Sequence, residues 1–346
     1  MNCGVFFKTL TLLLFIFFRT NGFCQSLKEA ERQYQEGILY WQEEDEEMAL
    51  ESFNHCLQIN PRHEKALFNR GTIFINRGDY VSALKDMDVL LSIQPSFPKA
   101  NFYRGLCKYH FGDYQGALAD FDFENYYYAQ YYEPYFYKGI IYCRNQEYTD
   151  ALHQLNKCIL FNEDYAAALH EKAICYEITG KIDSATISLK QAIKLDSENP
   201  FYTYSYGRLM ENSSQIEKAI IYYEKALELS EENPIVKNSL GIVEYNSGNY
   251  LGALELFTEA IEDSSNFVTA LINRSAALIE IKKYEEALID LDKAQLIEPT
   301  NALIYLNKGI ALENIFRWDD ACLSWKKAFS LGIEKAGKYI EKQCNP

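Results

Sequence analysis

One spacing constrains this chain more than any other feature. Ala49, Ala83, Ala117, Ala151, Ala185, Ala219, Ala253, Ala287 and Ala321 follow one another at intervals of 34 residues, without insertion or deletion. Twelve residues before each stands a small residue: Gly37, Gly71, Gly105, Gly139, Ala173, Gly207, Gly241, Ser275 and Gly309. Four residues after each stands a large one: Phe53, Met87, Phe121, Leu155, Leu189, Tyr223, Phe257, Leu291 and Trp325. Seven after come Cys56, Leu90, Glu124, Cys158, Ala192, Ala226, Ala260, Ala294 and Ala328. Offsets of three, four and seven put apolar residues on one helix face. Small residues let two helices approach where they cross, and large ones fill the space beside them. In the second unit, Leu67, Gly71 and Phe74 lie on a first helix and Ala83, Met87 and Leu90 on a second, with Arg77-Gly78-Asp79-Tyr80 as the turn. Phe111-Gly112-Asp113-Tyr114 and Ser247-Gly248-Asn249-Tyr250 repeat that turn. Pro61, Pro95 and Pro299 follow second helices, whereas Pro98, Pro134, Pro200 and Pro234 fall where first helices start and a missing N–H costs little. The 346 residues therefore predict one array of nine helical hairpins, not two or three unrelated domains.

The second unit, Glu64 to Phe97, carries Ala66, Leu67, Gly71, Phe74, Gly78, Asp79, Tyr80, Ala83 and Pro95, and in this it resembles the tetratricopeptide repeat family. The resemblance runs in one register from about Ala30 to Lys335. It implies an all-α, right-handed α-solenoid of about nine 34-residue helix-turn-helix units within residues 25–346. The units are 30–63, 64–97, 98–131, 132–165, 166–199, 200–233, 234–267, 268–301 and 302–335. Two units depart from the pattern. The first has Glu44 and Glu46 for the turn Gly and Tyr, and the third has Glu124 at a usually small position, followed by Tyr126-Tyr127-Tyr128. Ile333, Ala336, Tyr339 and Ile340 form an apolar face opposite Lys335, Lys338, Glu341 and Lys342, which predicts a capping helix over 334–343. This ending resembles that of exported bacterial members of the family.

The start of the chain points the same way. Lys8 precedes an apolar run from Leu10 to Phe18, broken by Thr11, and Arg19 ends it. Residues 1–24 are expected to be a secretory signal cleaved between Cys24 and Gln25, with a retained anchor as the alternative. Phe23 argues against lipid attachment to Cys24. No later stretch has the roughly 20 apolar residues of a membrane span, so no integral membrane segment is expected after cleavage. Lys8 and Arg19 leave with the signal, so 49 acidic and 32 basic side chains remain, a net charge of −17. That balance disfavours nucleic acid, which needs a basic stripe. A periplasmic or extracellular location follows, with association to the envelope left open.

A search for chemistry returns no catalytic constellation. There is no Gly-rich phosphate loop, no Gly-x-Ser-x-Gly turn and no His-x-x-x-His pair among His55, His63, His110, His153 and His170. Cys107 and His110 with Cys143 are the nearest metal candidate, but they lack the paired spacing of structural zinc sites. The run Glu43 to Glu47 lacks the alternating ligands and Gly of a calcium loop and reads as a solvated turn. No cofactor and no metal are expected. Seven cysteines remain after cleavage, an odd number, and five read as small interior spacers. Cys322 and Cys344 lie ten and twelve residues either side of Gly332, close to the same height on two antiparallel helices, and are expected to pair in an oxidising compartment.

Function should then lie on the first helices, which line the family's concave groove. Carried over position by position, the fifth residue of each unit is Tyr34, Phe68, Phe102, Phe136, His170, Tyr204, Asn238, Ile272 and Leu306. The twelfth includes Trp41, Tyr109 and Tyr245, and the thirteenth includes Asn76, His110, Arg144, Asn212 and Asn246. Rings anchor partners at low entropy cost and amides bond extended backbone. The alternative for the fifth position is packing between units. The family's clamp for chaperone tails has Lys at position five and Asn at position nine. Tyr34/Ile38, Phe68/Thr72 and Phe102/Leu106 do not match it. Tyr126, Tyr127, Tyr128, Tyr131, Tyr132, Tyr135, Phe136 and Tyr137 form either a unit junction or a second contact surface. The sequence thus predicts a non-enzymatic scaffold for a protein or peptide partner, or a self-associating subunit of an envelope complex.

Overall fold

The computed structural model describes residues 25–344. The expected signal, residues 1–24, lies outside them. The described residues form nineteen helices and no strand. They are α1 (25–42), α2 (Glu46–Ile59), α3 (Glu64–Asn76), α4 (Tyr80–Ile93), α5 (Ala100–His110), α6 (Tyr114–Tyr127), α7 (Glu133–Arg144), α8 (Tyr148–Phe161), α9 (Ala166–Ile178) and α10 (Ile182–Leu195). Then follow α11 (Pro200–Asn212), α12 (Ile216–Leu229), α13 (Pro234–Asn246), α14 (Tyr250–Asp263), α15 (Val268–Glu280), α16 (Tyr284–Ile297), α17 (Ala302–Asn314), α18 (Trp318–Ser330) and α19 (Lys335–Gln343). The even-numbered helices α2 to α18 all begin 34 residues apart. We number the hairpins 1 to 9 from α1–α2 to α17–α18. The chain forms two compact bodies, one ending at Glu171 and one starting at Lys172. No helix among the described residues is long and apolar enough to cross a membrane.

Within each body the column of small residues meets the column of large ones. A Cβ added to Gly37 would lie 2.6 Å from the Phe53 ring, one on Gly105 2.7 Å from Phe121, one on Gly207 2.8 Å from Tyr223 and one on Gly241 2.5 Å from Phe257. Gly309 makes the same close approach to Trp325. Each partner sits sixteen residues on, across the hairpin, and these five rings are at most 1% exposed. Every aromatic residue of the large column faces glycine. Where the small column holds Ala173 or Ser275, the residue sixteen on is leucine, Leu189 or Leu291.

The turns are as regular as the crossings. The backbone is left-handed at Glu44, Gly78, Gly112, Gln146, Gly180, Ser214, Gly248, Lys282 and Phe316, one residue per hairpin at the same repeat position. Only four of the nine are glycine, although L-residues there cost about 1–2 kcal/mol. Asp45, Asp79, Asp113 and Asn249 then cap the second helices, each side chain accepting the N–H three residues on.

The departure at Glu124 has a structural reason. Its buried carboxylate, on α6, accepts the backbone N–H of Lys99 at 2.8 Å and of Phe102 at 3.4 Å, and so caps the start of α5 from the second helix of the same hairpin. Lys99 is left-handed, at φ 65°, and α5 starts at Ala100, two residues after the start of unit 98–131. Burial pushes the Glu124 carboxyl above the usual glutamate range, with the N–H bonds opposing the shift.

At the far end, α19 packs on α18. Tyr339 stacks on Trp325 at 5.0 Å, Ala336 is fully buried, and Cys322 is bonded to Cys344 with their Cα atoms 5.6 Å apart.

Four outcomes are expected. Gly241→Ala adds a methyl into the Phe257 ring. Overpacking of about 1–3 kcal/mol should outweigh the roughly 1 kcal/mol that alanine gains in a helix, and lower the urea midpoint. Lys282→Gly, by relieving the left-handed turn, should raise it by about 0.5–1 kcal/mol. Because the Glu124 pKa is raised on folding, its contribution is full below the unfolded value of about 4.3 and is lost as pH rises through the folded value. Stability measured across that window should fall with pH in the wild type, and Glu124→Gln should flatten the fall. Cys344→Ser should cost about 3 kcal/mol by freeing a loop of 22 residues, read as faster amide exchange in α19 than in α17.

Candidate binding faces

The fifth-position residues do not form a free surface. Tyr34, Phe102, Phe136 and His170 expose 8%, 5%, 9% and 2% of their area. Tyr34 lies 6.0 Å from Phe53 of its own hairpin and 4.8 Å from His63 at the start of the next, and its hydroxyl accepts from Asn69 at 3.4 Å. Phe102 packs on Phe121, Tyr131 and Tyr137, and Phe136 on Tyr165. Phe68 is half-buried between Phe97 and Tyr103, and Tyr204 is half-buried on Tyr223. The expectation that these side chains anchor a partner is therefore corrected for Tyr34, Phe102, Phe136 and His170, which are buried; Phe68 and Tyr204 keep part of their surface open. A residue on the crossing face reaches its own second helix before it reaches solvent.

Positions twelve and thirteen differ. Asn76, His110, Arg144, Asn212 and Asn246 are exposed, backed by half-buried Trp41, Tyr109 and Tyr245. In the N-terminal body His110 stacks on Tyr80 with centroids 3.9 Å apart and planes at 15°. Burial lowers the His110 pKa, which favours the neutral ring. One repeat later the Arg144 guanidinium lies 5.2 Å over the Tyr114 ring and donates to its hydroxyl. Tyr109 sits between Tyr114 and Tyr137, and Trp41 meets Phe53 edge-on. In the C-terminal body Asn212 donates to Glu177 at 2.8 Å, and the Tyr245 hydroxyl donates to Glu280 at 3.5 Å. Asn246 lines a cavity of about 270 Å³ with Glu211, Ile216, Ile220, Val243, Glu244 and Ser247. These side chains offer ring faces, hydrogen bonds and point charges, the means of holding a chain segment.

The tyrosine-rich segment divides between packed and exposed rings. Tyr131 and Tyr137 pack inside the N-terminal body, while the Tyr128 and Tyr135 hydroxyls donate to the carbonyls of Ser96 and Ala129. Phe123, Tyr126 and Tyr127 remain outside, 38%, 80% and 51% exposed.

One set of site-shaping residues escaped the sequence reading. At position seven, Arg70, Arg104 and Arg274 each donate two bonds to the aspartate sixteen residues on, Asp86, Asp120 and Asp290. Lys138 and Lys308 reach back instead to Asp122 and Asp292 of the preceding hairpin. The signal was present as a 34-residue column of cations. Cys56, Cys107 and Cys158 are buried, their thiols pushed by burial up to about 11, 12 and 12. Among the described residues no three His, Cys, Asp or Glu side chains are placed to hold a metal.

Comparison with known proteins agrees with this architecture. Residues 30–63 match the model of the tetratricopeptide repeat, and residues 135–304 match that of the coatomer epsilon subunit. Human tetratricopeptide repeat protein 28 (Homo sapiens) is 33% identical over 86 residues, which is 25% of this chain and 3% of that protein. Among solved structures, that of the APC/C hetero-tetramer Cut9–Hcn1 superposes with a TM-score of 0.59 at 16% identity, over 87% of this chain and 59% of that one. Yeast Tom70 superposes with a TM-score of 0.54 at 14% identity, over 93% and 91% of the two chains. At these identities the structural neighbours speak for the fold. Together with the match over residues 30–63, they support a solenoid fold of the tetratricopeptide repeat kind.

Proposed function

We propose that the protein is an exported, non-enzymatic scaffold that binds a peptide segment or partner helix along the faces formed by its first helices. The observation that carries this reading is the row at position thirteen: Asn76, His110, Arg144, Asn212 and Asn246 are exposed, and His110, Arg144 and Asn212 each lie beside a ring or carboxylate of the neighbouring hairpin. A partner in extended conformation can satisfy its backbone on the amides and rest its side chains on the rings. Export rests on the reading of residues 1–24, and the Cys322–Cys344 bond is of a kind that persists in oxidising compartments. A second reading, self-association, rests on Phe123, Tyr126 and Tyr127, exposed apolar rings close together on α6.

Pull-down from the envelope fraction of the producing cell tests the first reading. His110→Ala/Arg144→Ala should keep the helical circular dichroism of the wild type and recover about tenfold less partner. Phe102→Ala, by emptying a packed site at a cost of about 3–5 kcal/mol, should lower the melting temperature instead. Undiminished capture by the His110/Arg144 variant would count against the scaffold reading. Light scattering tests the second: a mass that stays monomeric over a wide concentration range would exclude self-association.

A further inference from the structure

Glu177 and Glu211 occupy the same repeat position, 34 residues apart, but their surroundings differ. Glu177 receives the Arg208 guanidinium at 3.0 Å on one oxygen and the Asn212 amide at 2.8 Å on the other. Moved on by one repeat, Asn212 becomes Asn246 and Arg208 becomes Ile242. Glu211 thus keeps the carboxylate and loses the cation. It accepts the Tyr223 hydroxyl at 2.5 Å, a neutral donor. Glu244 beside it accepts the Asn249 amide at 2.7 Å. Among the described residues neither glutamate has an ion-pair partner, and both border the 270 Å³ cavity whose apolar wall is Ile216, Ile220 and Val243.

The hollow has a second cause in the repeat pattern. Position 17 of one hairpin and position 13 of the next, 30 residues apart, meet as Tyr80 with His110 and as Tyr114 with Arg144 in the N-terminal body. Here the same positions are Ile216 and Asn246, too short to fill the gap. At two other junctions the chain supplies its own cation to this neighbourhood, as Arg144 and as Arg208.

We propose that the cavity takes one arginine side chain from an extended partner peptide. Its methylenes lie against Ile216, Ile220 and Val243, and its guanidinium meets the carboxylates of Glu211 and Glu244. The volume falls below the roughly 300–1,000 Å³ of small-molecule sites and suits a single side chain. Arginine suits it because its guanidinium is weakly hydrated and its fork of donors can serve two carboxylates at once. This inference rests on the reading of the first-helix faces as peptide-binding and names one residue of the partner.

The test uses the full chain and a fluorescein-labelled nonapeptide of alternating glycine and alanine with one central arginine, followed by anisotropy at low salt. A matched peptide carries citrulline, which keeps the shape and removes the charge. The wild type should prefer arginine by about tenfold, the effect of losing one charge-assisted contact pair. Glu211→Gln/Glu244→Gln should abolish the preference. Ile242→Arg should abolish it too, by restoring the internal guanidinium that Glu177 enjoys. Glu231→Gln/Glu232→Gln, which removes two exposed acids from the α12–α13 loop, should keep it. The inference is overturned if the wild type shows no preference, if either cavity variant retains it while remaining helical, or if the loop variant loses it, since long-range charge would then be the cause. Partner capture that depends on His110 and Arg144 but not on Ile242→Arg would leave the scaffold reading standing and remove only the arginine site.

Discussion

Where the two helices of a hairpin cross, a residue with little or no side chain meets a large one sixteen positions further on. Gly105 against Phe121 and Gly241 against Phe257 show the geometry: the ring occupies the space in which a Cβ would have to lie. This contact sets how near the helices come. The spacing in turn fixes where the three-residue turn begins, which residue must be left-handed, and which side chain caps the second helix. The position-seven cations depend on it as well. Arg70 and Arg274 reach an aspartate on the facing helix with two bonds each because the crossing holds that helix close. The desolvation of these pairs limits what they add to stability, and their geometry mainly fixes register.

Much of this was legible from spacing alone. Columns that repeat every 34 residues report the constraints every hairpin shares, so the helices, turns and crossing pairs follow from alignment of the chain with itself. Positions that vary between units were harder to assign. The fifth-position rings look the same in sequence whether they face a partner or a neighbouring hairpin. Burial of Tyr34, Phe102 and Phe136 decides for packing, because a ring near a crossing gains more by covering its own helices than by standing in water. Glu124 looked like a defect at a small position, and only its two backbone partners explain it.

The same logic explains why the candidate cavity was invisible in sequence. It is defined by missing side chains: an isoleucine where five other hairpins have tyrosine, and an isoleucine where the preceding hairpin has arginine. A repeat protein carries several copies of each local environment, and those copies act as internal controls. Glu177 and Glu211 share an asparagine, Asn212 and Asn246, while Arg208, Leu189 and Met210 around the first become Ile242, Tyr223 and Glu244 around the second, a comparison that a unique fold seldom offers.

The left-handed turn position has a further consequence for motion. In a repeat array each hairpin opens with a free energy set largely by its own residues and those of its neighbours. Glycine turns at Gly78, Gly112, Gly180 and Gly248 hold their shape without strain, whereas Ser214, Lys282 and Phe316 hold the same shape against it. Breathing is therefore distributed unevenly, with the strained hairpins as its soft points. Ser214 lies between Glu211 and Ile216, two walls of the cavity. A side chain seated there would grip both ends of a strained turn, so that occupancy and the stiffening of hairpin 6 become two readings of one equilibrium.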